Sequence, residues 1–299
     1  MNAQSDFAPE VRNSAWWSGD SRKAANGRAV DAILEKQGKK PLPDLSGVEA
    51  VQFGHIMQPV IGRLFQDRHG IELKDADYAL THPTESWFRS HFDFISSDGR
   101  TLVEAKNYNA SVRNKFDADA NRIPDADYAQ LIHECATHGI EHIFLAVVFG
   151  GQEFVTFEFT ISKAQQDELV QKMAKLWAYC KTDTLPPAES IEQTKIMYPA
   201  STATQIVATQ NIEQAVAQLK AVKQNIKALE DQDEQIEVAI RNLMQDKDEI
   251  VTFSGETLVT WRSSKPSKRF SSDLFKQAMP DIYEKFVVEQ PGTRRFLVK

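Results

Sequence analysis

The feature that most constrains this chain is a change of hydrophobic period near residue 71. Up to His69 apolar residues recur three and four apart, as helices require. From Ile71 onward they alternate or run continuously, as strands require. Trp87 to Ile95 sets Trp87, Arg89, His91 and Asp93 against Phe88, Phe92 and Phe94. Ser96 to Arg100 (SSDGR) carries Asp98-Gly99, a hairpin signal, and Thr101 to Lys106 reads as the returning strand. Antiparallel pairing across that turn sets Asp93 beside Glu104. Alternation puts Glu104 and Lys106 on the same face.

The elements around this hairpin follow from the same periodicities. Ser21 to Lys36 reads as one helix and Gly47 to His69 as a second, burying Val51, Ile56, Val60, Ile61, Leu64 and Phe65 and stopping at Gly70. Met1 to Gly19 reads as loose apart from Trp16-Trp17, a packing anchor. Ile71 to Tyr78 reads as a short strand and Asp127 to His138 as a helix. Ile143 to Gly150 (IFLAVVFG) reads as a buried central strand, Glu153 to Ile161 as another, and Ala164 to Lys181 as a helix. The expected division is a domain over 1–181, a Pro-containing linker over 182–204, a coiled-coil-like arm over 205–250 and a small basic module over 251–299. The arm has no Gly or Pro, and its apolar residues Leu219, Val222, Ile226, Leu229, Ile236, Ile240 and Leu243 fall near a heptad seam, with Asp233 the polar exception. It could be one long helix or a hairpin turning near Glu230 to Glu234. Val251 to Arg262 suggests a hairpin turning at Gly255-Glu256, and the tail interleaves Lys and Arg with aromatic residues.

Two carboxylates and one ammonium converge at Asp93, Glu104 and Lys106. Hard oxygen ligands suit Mg²⁺ or Mn²⁺, which keeps waters and takes phosphate oxygens. Such an ion polarises a phosphate and activates water, and Lys106 can orient that water or stabilise charge on a phosphorane. On spacing alone a solvated strand edge is the commoner explanation, because these residue types are abundant. The helix before the motif, and the helix and apolar strand after it, give an αβββαβ order and an α/β sandwich with a mixed central sheet.

That order resembles the core of the PD-(D/E)XK nucleases. From about Ser21 to Phe159, roughly half the chain, the sequence resembles more specifically the YqaJ viral recombinase family, relatives of the lambda-type phage exonuclease. Ser21-Arg22-Lys23 opens the first helix. Gly54 followed by Gln58-Pro59 resembles the family's Gly-x-x-x-Glu-Pro helix. Asp93 and Glu104-x-Lys106 form the acidic motif, Tyr128-Ala129-Gln130 resembles its Tyr-x-Gln helix, and LAVVFGGQEF (Leu145 to Phe154) its Leu-Ala-Val-x-x-Gly-Gly stretch. The resemblance implies an Mg²⁺-dependent deoxyribonuclease acting 5′ to 3′ on duplex ends and leaving single-stranded tails. Its metal would be held by Asp93, Glu104 and the Ala105 carbonyl, with Gln130 holding water or phosphate. It also implies homo-oligomers such as a trimeric ring, a single-strand annealing protein as partner, and the cytoplasm of a host carrying a phage or prophage. Two departures stand out. Gln58 replaces a Glu that assists the metal, and Phe92 replaces a Pro before the acid. Gln58 favours an alternative reading as a DNA-binding recombination scaffold, and an endonuclease on the same fold is a third.

Other residues carry paired readings. Arg22 aligns with an Arg that takes the terminal 5′-phosphate, a task suited to its bidentate fork, but also suits solvation. Tyr108 with Asn107 and Asn109 could line a DNA groove or cap a turn. Arg113, Lys115 and Arg122 could meet phosphates or water. His133, His138 and His142 lack zinc spacing and read as ordinary helix and loop residues. Cys135 and Cys180 have no CxxC partners and read as free, which excludes cysteine-ligated clusters. No window approaches the length of a membrane span, and the polar N-terminus does not read as a signal peptide. The net charge of -7 argues against a passive nucleic-acid binder but not against a carboxylate metal site beside a local basic groove.

Overall fold

A computed structural model describes residues 9–76, 78–182, 184–289 and 292–299. The chain divides into two compact units, Met1–Pro199 and Ala200–Lys299. The first unit runs α1 (Pro9–Asn13), β1 (Trp16–Trp17), α2 (Ser18–Ala25), α3 (Ala29–Lys36), α4 (Glu49–His69), β2 (Leu73–Asp75), β3 (Ala79–Thr81), β4 (Phe88–His91), β5 (Phe94–Ser96) and β6 (Thr101–Tyr108). After a 3-10 turn (Ala110–Lys115) come α5 (Asp125–His138), β7 (His142–Phe149), β8 (Glu153–Thr160), α6 (Lys163–Cys180) and α7 (Ile191–Met197).

The main sheet has the order β2-β5-β6-β7-β8. It is mixed, with β6 and β7 parallel and the other neighbours antiparallel. The parallel pair is joined through α5, as a crossover demands. Alternation sorts the two faces. Leu102, Ile143, Leu145, Val147 and Phe157 pack with Leu131 and Cys135 of α5, whereas Val103, Phe144, Ala146 and Val148 pack with Ile61 and Phe65 of α4. A β-carbon on Gly62 would lie 2.7 Å from the Phe94 ring, so α4 approaches β5 as closely as glycine permits. Elsewhere β1-β4-β3 forms a small second sheet. Trp16 and Trp17 are fully buried there, as a packing anchor should be.

Several expectations are corrected. The Ser21–Lys36 helix is two helices, parted where Gly27 takes φ +69°. The stretch 9–19, expected to be loose, carries α1, β1 and the start of α2; Met1 to Ala8 lie outside the described residues. Trp87 to Ile95 is not one strand: β4 and β5 belong to different sheets, and Asp93 sits in the bend between them. On α4 only Ile61 and Phe65 of the expected set are buried. Val51 is half-buried, while Ile56 is 62% exposed and Val60 and Leu64 also face outward, because the apolar stripe is wider than the face the sheet covers. Part of the expected linker is ordered as α7, whose Met197 packs with Val30 and Leu34 of α3.

The second unit opens with α8 (Gln210–Met244), a single 35-residue helix rather than a hairpin. Then follow β9 (Glu249–Val251) and β10 (Thr257–Thr260), paired antiparallel around Gly255 at φ +85°, and α9 (Ser272–Ala278) and α10 (Pro280–Lys285). Arg241 stacks on Trp261, tying hairpin to helix, and Arg262 pairs with Glu249 across the hairpin. No helix among the described residues is long and apolar enough to cross a membrane. Cys135 and Cys180 are free thiols.

Candidate active site

The β5–β6 register pairs Phe94 with Val103 and Ile95 with Leu102, so continuing it sets Asp93 opposite Glu104. The ladder stops there because the chain bends into β4. The backbone N–H of Ala105 therefore has no strand partner on that side and donates to Asp93 Oδ2 at 2.8 Å. In a strand the N–H and C=O of one residue point to the same edge, so the Ala105 carbonyl also faces Asp93. Along β6 the face that begins with buried Leu102 continues as Glu104, Lys106 and Tyr108, and these meet α5. Lys106 Nζ lies 2.5 Å from Glu104 Oε1.

Helix α5 answers with polar residues on one face. Asp127, Gln130 and Glu134 are spaced i, i+3, i+7, and all are buried. Gln130 Nε2 donates to Glu104 Oε1 at 2.6 Å and to Glu134 Oε1 at 2.9 Å. Reversing the amide would put its oxygen against two carboxylates, so this orientation is the one electrostatics allows. Both amide hydrogens are used, which leaves Gln130 Oε1 as the acceptor for a further ligand. One turn earlier Asp127 Oδ1 accepts from Tyr108 Oη at 2.6 Å and from Arg22 Nε at 3.0 Å, while Arg22 Nη2 lies 3.0 Å from Tyr108 Oη.

The electrostatics are those of a crowded carboxylate site. Burial, and then the charge of Glu104, push the Asp93 carboxyl well above the usual carboxylate range. Burial and Glu104 do the same to Glu134. Burial alone would lower the Lys106 pKa, but Glu104, with Tyr108 and Asp93, raises it above the usual lysine value, which favours the cation. Asp93, Glu104 and the Ala105 carbonyl form an oxygen set under mutual repulsion, which a divalent cation would relieve. Among the described residues no three His, Cys, Asp or Glu side chains are grouped so as to hold a metal ion, so an ion here would rest on Asp93, Glu104 and the Ala105 carbonyl with waters completing its shell.

Lys106 and Gln130 open onto a cleft of about 620 Å³. Six of its lining residues are basic, Arg12, Arg22, Lys23, Arg28, Lys106 and Lys115, against one acid, Asp127. This basic hollow lies in a chain of net charge -7. Behind it, His133 ties three elements together. Trp16 Nε1 donates to Ser21 Oγ at 3.1 Å, Ser21 Oγ lies 2.8 Å from His133 Nδ1, and His133 Nε2 lies 2.9 Å from the Arg89 carbonyl. A carbonyl only accepts, so Nε2 carries a proton. Burial takes its pKa down to about 3.

The structure thus brings Arg22, Asp93, Glu104, Ala105, Lys106, Tyr108 and Gln130 together. Arg113 is engaged by Glu153 at 2.8 Å and by the Phe116 carbonyl at 2.8 Å. No hydrogen bond among the described residues joins Gln58 to Asp93 or Glu104. Asn109 caps the 3-10 turn by accepting from Ser111 N. Asp127 and Glu134 were absent from the sequence candidates, although their spacing from Gln130 was the available signal.

Comparison with known proteins follows the same residues. The protein YqaJ of Bacillus subtilis (strain 168), itself uncharacterized, is 24% identical over 274 residues, covering 89% of this chain and 84% of its own. That span is too long for the first unit alone, so it reaches into the second. Among solved structures, an alkaline exonuclease from Laribacter hongkongensis is 14% identical with a TM-score of 0.48, covering 58% of this chain and 91% of its own. A phage related exonuclease from Haemophilus somnus 129PT is 12% identical with a TM-score of 0.42, covering 53% and 80%. Residues 22–141, the stretch that supplies Arg22, Asp93, Glu104, Lys106 and the whole polar face of α5, match the YqaJ-like viral recombinase domain.

Proposed function

We propose that this chain is a metal-dependent deoxyribonuclease that shortens duplex DNA from its ends, 5′ to 3′, leaving single-stranded tails for phage-type recombination with an annealing partner. The observation that carries this reading is the basic cleft opening directly on Lys106 and Gln130, in front of the repelling Asp93–Glu104 pair. A groove lined by six cations and backed by carboxylates is built for a polyanion and a divalent cation together. The exonuclease names of the similar structures agree with it.

Asp93, Glu104 and the Ala105 carbonyl would hold Mg²⁺ or Mn²⁺, which supplies Lewis acidity at the scissile phosphate when bound. Lys106, held as a cation by Glu104, stabilises the charge developing on the phosphate oxygens. Gln130 Oε1 accepts from the attacking water, its amide held by Glu104 and Glu134. Arg22 is fixed by Asp127 and Tyr108 at the cleft wall, with guanidinium donors left to take a terminal 5′-phosphate.

The test is digestion of linear duplex labelled at one 5′ or one 3′ end, beside a closed circle, with Mg²⁺. Early release of the 5′ label with an intact circle is expected. A nicked or linearised circle would make the enzyme an endonuclease, and early release of the 3′ label would reverse the polarity.

A further inference from the structure

Among the described residues, much of the apolar seam of α8 is exposed. Leu229 is 64% exposed, Ile236 62% and Val222 52%. Such a stripe is costly to leave in water over a helix of 35 residues, about 50 Å at ~1.5 Å per residue. Its spacing is a strict heptad: Ile212, Leu219, Ile226, Asp233 and Ile240 recur every seven residues, and each is followed three residues later by an apolar residue.

We propose that this seam pairs antiparallel with the same helix of a second copy of the chain. Charge sets the direction. The N-terminal half of the seam is flanked by Lys220, Lys223 and Lys227, the C-terminal half by Glu230, Asp231, Glu234 and Glu237. Parallel, in-register pairing lays the basic half on the basic half and the acidic half on the acidic half, and sets Asp233 against Asp233. Antiparallel pairing lays the basic half of each copy on the acidic half of the other. It also keeps every layer in step, with Ile226 of one copy against Leu229 of the other, Leu219 against Ile236 and Val222 against Asp233. The same register sets Lys223 beside Glu230, twice by symmetry. This goes beyond the nuclease reading and stands without it.

Sedimentation equilibrium of the full chain tests the pairing. Wild type is expected to dimerise, and Leu229→Asp to abolish the dimer. Since Leu229 is exposed in the single chain, that variant keeps its folded nuclease unit, which its circular dichroism melt checks. Lys223→Glu is expected to weaken the dimer about tenfold, and Lys223→Glu with Glu230→Lys to restore it. On a Cys180→Ser background, mixing Ile212→Cys with Leu243→Cys is expected to give a mixed disulfide. A monomeric wild type overturns the proposal, as does a dimer or trimer indifferent to Leu229→Asp. Self-linking of Ile212→Cys in place of the mixed disulfide overturns the antiparallel direction.

Discussion

Glu134 lies one helical turn beyond Gln130 and accepts, at 2.9 Å, a hydrogen bond from the same amide nitrogen that donates to Glu104 at 2.6 Å. Glu134 thereby fixes the side of Gln130 that faces the cleft without lining the cleft itself. Its loss frees the amide to rotate. Glu134→Ala is expected to lower kcat by roughly tenfold to a hundredfold, with KM for DNA unchanged. Glu134→Gln, whose own carbonyl can accept from Gln130, recovers most of it. Steady-state kinetics of both variants check this, and a change confined to KM would show that Glu134 serves binding instead.

Asp93 links stability to metal. Its folded-state pKa lies above the unfolded value, so the folded protein holds a proton that the unfolded chain has lost. Above about pH 4, the unfolded value, the site therefore costs stability as pH rises toward the folded pKa. A divalent cation offsets that cost. The Mg²⁺-induced rise in Tm is expected to be larger at pH 8 than at pH 5. Asp93→Asn is expected to raise the metal-free Tm at pH 8 and to lose the Mg²⁺ response. Thermal denaturation with Mg²⁺ or with EDTA measures both.

His133 has the opposite sign. Its folded pKa of about 3 lies below the unfolded value of about 6.5, so protons favour the unfolded chain between those pH values. Its contribution falls by about 1.4 kcal/mol for each unit that pH drops below about 6.5. The stability difference between wild type and His133→Asn is expected to shrink from pH 7.5 to pH 4.5. Comparing the two proteins cancels the carboxylate contributions, and urea titrations at the two pH values report it.

The acidic motif was legible in the sequence because it sits on two alternating stretches around an Asp-Gly turn, where period 2 fixes which side chains share a face. The bend at Asp93 was not, since Phe92 and Phe94 keep the alternation going through the point where the chain changes sheets. Glu134 was not legible, because the Tyr128-Ala129-Gln130 motif marks only one turn of α5, and the polar face continues a turn beyond it. The gap between α2 and α3 was hidden by alanines that extend a helical pattern across Gly27. On α4, periodicity showed that Ile56 and Val60 share a stripe with Ile61, but which part of the stripe the sheet would cover depended on Gly62 touching Phe94.

That contact makes Gly62 a sensitive position. Alanine gains up to about 1 kcal/mol of helix propensity. Its β-carbon, however, would sit 2.7 Å from the ring of Phe94, which is 4% exposed and adjacent to Asp93. Overpacking typically costs about 1–3 kcal/mol, so Gly62→Ala is expected to destabilise by up to about 2 kcal/mol net and to lower activity through Asp93. A denaturation midpoint equal to or above that of wild type would show that α4 can move away.

The most direct test of the proposed site is Mg²⁺-dependent release of nucleotides from linear duplex DNA by wild type and Lys106→Ala. Wild type is expected to be active only with Mg²⁺ or Mn²⁺. Lys106→Ala is expected to lose roughly 10²–10³-fold in rate, the range for removing a group aimed at the transition-state charge, while still binding duplex ends. A wild type that binds DNA but releases nothing with either ion, or a Lys106→Ala enzyme as fast as wild type, would contradict the assignment of Asp93, Glu104 and Lys106 as the catalytic centre.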